Sequence, residues 1–138
     1  MNDYGVFAAI NELVRRDEFL SQQITSIVTE PRPGMQPPYM LVRIEGSEVD
    51  IPCAPRSALV SCELQLSSTY NGDQEIHTLM SRLDFRLNGA ALQVEIPALN
   101  AQGVAVFKAI DQEINRMPAE GKRIGTLSYQ IKINIRRN

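Results

Sequence analysis

Apolar side chains recur along the chain first at a helical interval and then at a strand-like one, and the change of interval divides the sequence into elements. Val6, Ile10, Leu13 and Val14 fall at i, i+4, i+7 and i+8, with Asn11, Glu12, Arg15 and Arg16 on the other side. That is the spacing of a surface helix that buries one stripe. Asn2 or Asp3 is positioned to cap it, since either side-chain oxygen can accept an amide of the first turn. Phe19, Leu20, Ile24 and Ile27 offer either a second short helix or an irregular extension over residues 17–29, and periodicity does not separate the two. Pro31, Pro33, Pro37 and Pro38 follow closely on one another. Each fixes φ and removes a backbone donor, so residues 31–38 are predicted to form an extended loop.

Strand-like alternation starts after the prolines. Met40, Val42 and Ile44 alternate with Tyr39, Leu41 and Arg43, which predicts a strand over 39–45 that Gly46 ends. Residues 48–57 contain Pro52 and Pro55 and read as a loop. In 59–70, Val60, Cys62, Leu64 and Leu66 face one way and Ser61, Glu63, Gln65 and Ser67 the other. Ile76, Leu79, Met80, Leu83 and Leu87 return to helical spacing, with Asn71 or Asp73 as N-cap and Asn88-Gly89 as the stop. A short extended piece, 92–96, runs into Pro97.

Residues 104–117 fit both templates. Val106, Ile110, Ile114 and Met117 suit a helix, whereas Val104, Val106, Ile110 and Ile114 share strand parity, and the pattern leans to helix. Leu127, Tyr129, Ile131, Ile133 and Ile135 then alternate with polar residues as a long, half-buried strand. Together these elements predict one α+β domain over 1–138, an antiparallel sheet packed against two α-helices as a two-layer sandwich.

Composition narrows the class without naming a chemistry. With 43% hydrophobic and 22% charged residues the chain is of ordinary globular type. Its longest aliphatic runs fall short of the roughly 20 residues of a membrane helix. Its first residues, Met1 to Tyr4, lack the positive start of a signal peptide. Cys53 and Cys62 are too few for a disulfide framework and wrongly spaced for zinc, so a reducing compartment is expected. The formal net charge of −2 gives no general attraction to nucleic acid. A basic end, Lys122, Arg123, Lys132, Arg136 and Arg137 with no carboxylate beyond Gly121, reads as a charged strand edge.

Candidate catalytic groups have ordinary structural explanations. The single histidine, His77, falls on the polar side of its helix, and one imidazole excludes a histidine-rich metal site. Asp111 and Glu113 would share one face of a strand, where paired carboxylates can act as acid and base or hold Mg²⁺, but a solvated exterior accounts for them. Residues 121–126 have the letters of a phosphate loop in the wrong order and precede a strand instead of a helix. Cys62 lies among apolar positions and reads as a core thiol, while Cys53 sits in a proline-flanked loop. No catalytic residue, cofactor or metal ligand is therefore predicted.

The order of these pieces, with Phe7 to Leu13, Pro38 to Gly46, Glu95 to Asn100 and Leu127 to Ile133 as its most characteristic parts, resembles the tail-terminator and tail-completion proteins of long-tailed bacteriophages. The resemblance covers nearly the whole chain and rests on order and spacing, not on a catalytic signature. It implies a strand over 104–115 that forms a hairpin with 124–136, against the helical lean of the pattern. It also implies a structural protein of the virion neck, assembled in the bacterial cytoplasm: a closed ring, commonly a hexamer, that caps the tail tube, stops its polymerisation and meets a head-side connector. DNA would pass through such a ring without sequence-specific binding, and no membrane is involved. Pro31, Arg32, Pro33, Gly34, Met35, Pro37 and Pro38 are the expected contact loop, because prolines reduce the entropy lost on docking. A neighbouring neck adaptor or tube protein, or a small α+β enzyme or ligand-binding module, would share the same composition.

Overall fold

A computed structural model describes residues 4–137 except Pro52, Ala54, Tyr70 and Asn71, and gives the backbone alone at Ser47. The proposed caps Asn2, Asp3 and Asn71 therefore lie outside the described residues. The first helix, α1 (Val6–Arg16), starts at Gly5, whose φ of 78° is left-handed. A Cβ there would strike the backbone oxygen of Glu95, so glycine is required both by the dihedral and by the close approach of the chain. Arg15 and Arg16 occupy the last turn, where positive charge suits the helix dipole. Asp17 then ends α1 and caps α2 (Glu18–Gln23), its carboxylate accepting the Leu20 N–H at 3.0 Å.

Six strands follow: β1 (Ser26–Val28), β2 (Tyr39–Val49), β3 (Ser57–Ser68), β4 (Ala91–Ile96), β5 (Ala101–Met117) and β6 (Lys122–Arg137), with α3 (Gln74–Leu87) between β3 and β4. They form one sheet in the order β1-β2-β3-β6-β5-β4. β1 pairs parallel with β2, and every other neighbouring pair is antiparallel. α1 and α3 lie on one face. Their buried residues Val6, Ile10, Val14, Ile76, Leu79, Leu83 and Leu87 meet Val60, Cys62, Leu64, Phe107, Leu127, Tyr129, Ile131 and Ile133 in one core. α3 packs closely on β6 at Gly125, where a Cβ would crowd the Met80 sulfur and lie 2.9 Å from Ile76 Cγ1.

The two-layer sandwich built on two helices is overturned. About half of the chain is strand, the six-stranded sheet curls into a half-barrel, and three α-helices are present among the described residues. Twist accumulates along such long strands, and bulges increase it. The register shifts between Ile44 and Gly46 in β2 and between Ala109 and Asp111 in β5. The first of these shifts also corrects the end predicted at Gly46, since β2 passes through it to Val49.

Residues 104–117 are strand and not helix, in the hairpin with β6 that the resemblance implied. The bulge explains the mixed pattern. Before it, Ala105 and Phe107 face the core while Val104 and Val106 are each 40% exposed; after it, Ile114 packs against the core. Residues of one sequence parity therefore sit on opposite faces. The basic end is corrected as well: β6 lies between β3 and β5 and is not an edge.

Candidate assembly surfaces

Two carboxylates fasten the helices to the rest of the fold. Asp17 is 3% exposed and accepts from Arg82 Nε at 3.0 Å and Arg86 Nε at 2.7 Å, tying the α1–α2 junction to α3. Burial pushes its carboxyl up, but the Leu20 N–H and the Arg86 and Arg82 guanidiniums outweigh it and hold the group below the usual carboxylate range. Asp73, at the N-cap position of α3, makes no side-chain capping bond. Its carboxylate is gripped by Arg116 of β5 and by Arg123 Nε of β6 at 2.7 Å, and these two guanidiniums lower its pKa to about 2. The predicted cap is thus at the right residue, but its oxygens anchor the tip of the β5–β6 hairpin.

The chemistry-bearing residues singled out in the sequence do not converge. His77 is exposed on α3. Asp111 and Glu113 are exposed on β5 opposite Ser128 and Thr126 of β6, on the sheet face away from the helices. Cys62 is buried, and desolvation, with the Glu45 and Glu63 charges, pushes its thiol up to about 12, so little of it is thiolate at neutral pH. Cys53 is exposed. Glu45 is raised by its hydrogen bond with Glu63, then by burial and by the Glu63 charge. Among the described residues no group of three or more His, Cys, Asp and Glu could hold a metal, and no helix is long and apolar enough to cross a membrane.

The surfaces that remain are broad. The proline loop is fastened at its C-terminal end: Thr25 Oγ1 donates to the carbonyls of Gln36 and Pro38, and the Thr25 N–H reaches Pro38 O at 2.9 Å. Pro31, Arg32, Pro33 and Gly34 are exposed, while Met35, Pro37 and Pro38 are half-buried. Gly34, at φ 78°, turns the loop tip with no heavy atom near its Cβ position. The sheet face opposite the helices is open and mixed, with Leu59, Val104 and Val106 each 40% exposed among its polar residues. Ser61, Gln130 and Lys132 are exposed on it, and Glu63, Gln65, Thr126 and Ser128 are half-buried. A depression of about 330 Å³ on this face is lined by Glu63, Gln65, Asp111, Glu113, Thr126 and Ser128. A larger groove, about 530 Å³, runs between α1 and β4 past Leu13, Asp17 and Leu92. Sequence reading found the proline loop from its composition. It missed Asp17 and Asp73 as anchors, because their arginine partners are 43 to 69 residues away.

No family model matches the chain, and no curated protein matches it in sequence. In fold, the chain is similar to one from the virion of a native gene transfer agent particle, with a TM-score of 0.73 and 14% sequence identity over 97% of this chain and 99% of that one.

Proposed function

We propose that this chain is a structural protein of a phage-like virion, and that copies of it close into a ring, a hexamer, which caps the tail tube, stops its polymerisation and presents the joining surface to the head-side connector. One observation carries the reading: over nearly its full length the chain has the fold of a chain from a gene transfer agent virion. The order of elements that resembles tail terminators supports the finer assignment. The chain is a building piece and not an enzyme on this reading, and the dispersal of His77, Asp111 and Glu113 over opposite faces of the sheet agrees with that.

The uncovered sheet face suits passage of DNA without retention. Arg43, Lys108 and Lys132 on it are interspersed with Glu63, Asp111 and Glu113, so no basic stripe tracks a phosphate backbone. The exposed tip of the proline loop, Pro31 to Gly34, is the candidate contact with the tube or with a neighbouring copy. A neck adaptor or tube-type protein is the alternative, and a tube protein would polymerise without closing. The expected solution mass is one closed species of fixed stoichiometry at all concentrations above assembly, measured by native mass spectrometry. A continuous ladder of ever larger polymers points to a tube protein and removes the terminator reading.

A further inference from the structure

We infer that copies of this chain join edge to edge, the open half of β5 in one copy adding as a strand to the open half of β2 in the next. β1 accompanies β2 only from Tyr39 to Leu41, and β4 accompanies β5 only from Ala101 to Val106. Beyond those stretches, and a few bonds from residues 88–90 to Phe107 and Ala109, no strand among the described residues lies beside 42–49 of β2 or 110–117 of β5 on their outer sides. Two runs of equal length thus present unpaired backbone, the feature that invites strand addition.

Their placement is complementary. The open part of β2 lies next to the Ser57 end of β3, and the open part of β5 next to the Lys122 end of β6, so the two occupy diagonally opposite corners of the sheet. Three antiparallel steps separate β2 from β5, which makes them antiparallel to one another. A second copy displaced across the sheet, and slipped along the strands, therefore meets the first in the better-bonded antiparallel sense. The contact is heterologous, so it runs on from copy to copy instead of stopping at a pair, and it ends in a ring when the rotation per copy closes. Pairing β5 with β5 about a two-fold axis would leave both β2 edges open, whereas the head-to-tail contact leaves none.

The apolar ends also agree. The open run of β5 begins at Ile110, 61% exposed, and the end of α3 beside it carries Phe85, 77% exposed. The open run of β2 leads into Ile51, 43% exposed. Antiparallel addition brings the Ile51 end against the Ile110 end, covering apolar side chains that water otherwise surrounds. The Gln112 N–H is meanwhile held by the neighbouring Asp111 carboxylate at 2.8 Å, a local bond that an incoming strand exchanges for a backbone one.

The inference rests on the ring reading for its closure, not for the contact itself. The test places one thiol on each edge, Glu48→Cys and Glu113→Cys, in a Cys53→Ser background, and treats the full-length protein with a short bis-maleimide. The double variant is expected to give a ladder of cross-linked oligomers ending at the ring number, and each single variant none. Dimers from Glu113→Cys alone overturn the inference in favour of a two-fold pair. A closed ring by mass with no ladder overturns the edge assignment and leaves the ring standing. A chain that stays monomeric at every concentration overturns both.

Discussion

Tyr129→Ala is expected to cost about 3–5 kcal/mol of folding stability, the range for removing a fully buried aromatic ring. Tyr129 is 1% exposed and meets Phe107 edge to face at a centroid separation of 6.0 Å, which joins β6 to β5 at the centre of the sheet. Its hydroxyl donates to Asp84 at 2.6 Å, so the same side chain holds α3 against the sheet. Burial, the Asp84 bond and the Asp84 and Cys62 charges all raise its pKa, which keeps the hydroxyl a donor across the physiological range. In a thermal melt the alanine variant should lose about 10 °C or more. Tyr129→Phe separates the two contributions: it keeps the ring and forfeits one hydrogen bond, with an expected loss of about 1 kcal/mol. Equal losses for the two variants would show that the ring contributes little.

Asp17→Ala is expected to cost about 2–3 kcal/mol, because one change removes the α2 cap and both ion pairs to α3. The figure is held below the cost of breaking a fully buried pair because Arg82 and Arg86 are 41% and 44% exposed and water receives them when the carboxylate is gone. Asp17→Asn, which can still accept the Leu20 N–H, should recover part of the loss. The same carboxylate gives an acid dependence. Its folded pKa lies below its unfolded one, so its stabilisation is complete above about pH 4 and is lost as pH falls through the folded value. Asp73 acts in the same sense, between the usual carboxylate value and about 2. Denaturant midpoints should therefore fall from pH 4 towards pH 2, and the Asp17→Ala variant should show a shallower fall than the parent protein.

What could be read from the sequence depended on whether a residue's partners were near in the chain. α1, α3, β3 and β6 were legible because each buries one regular stripe, as with Val60, Cys62, Leu64 and Leu66 against the exposed or half-buried Ser61, Glu63 and Gln65. β5 misled because the extra residue at Ile110 switches the core-facing parity midway, and two half-patterns of opposite phase mimic a helical repeat. β1 left no signal, since three residues cannot show a period and their partner strand begins at Tyr39. The two-helix sandwich failed for a related reason: periodicity reports which face is buried and carries nothing about how far a sheet curls. The proline loop was legible from composition alone. The anchors Asp17 and Asp73 and the open edges of β2 and β5 were not, because each exists only once distant strands and helices have met.

The central claim is that this chain caps a tail tube, and tube growth tests it most directly. Purified tail-tube subunits would be polymerised with and without the protein and imaged by negative-stain electron microscopy. The account predicts a ring seated on one end of the tubes and an arrest of their growth once it is bound. Tubes that lengthen without limit past the added protein, with no ring at their ends, would contradict it.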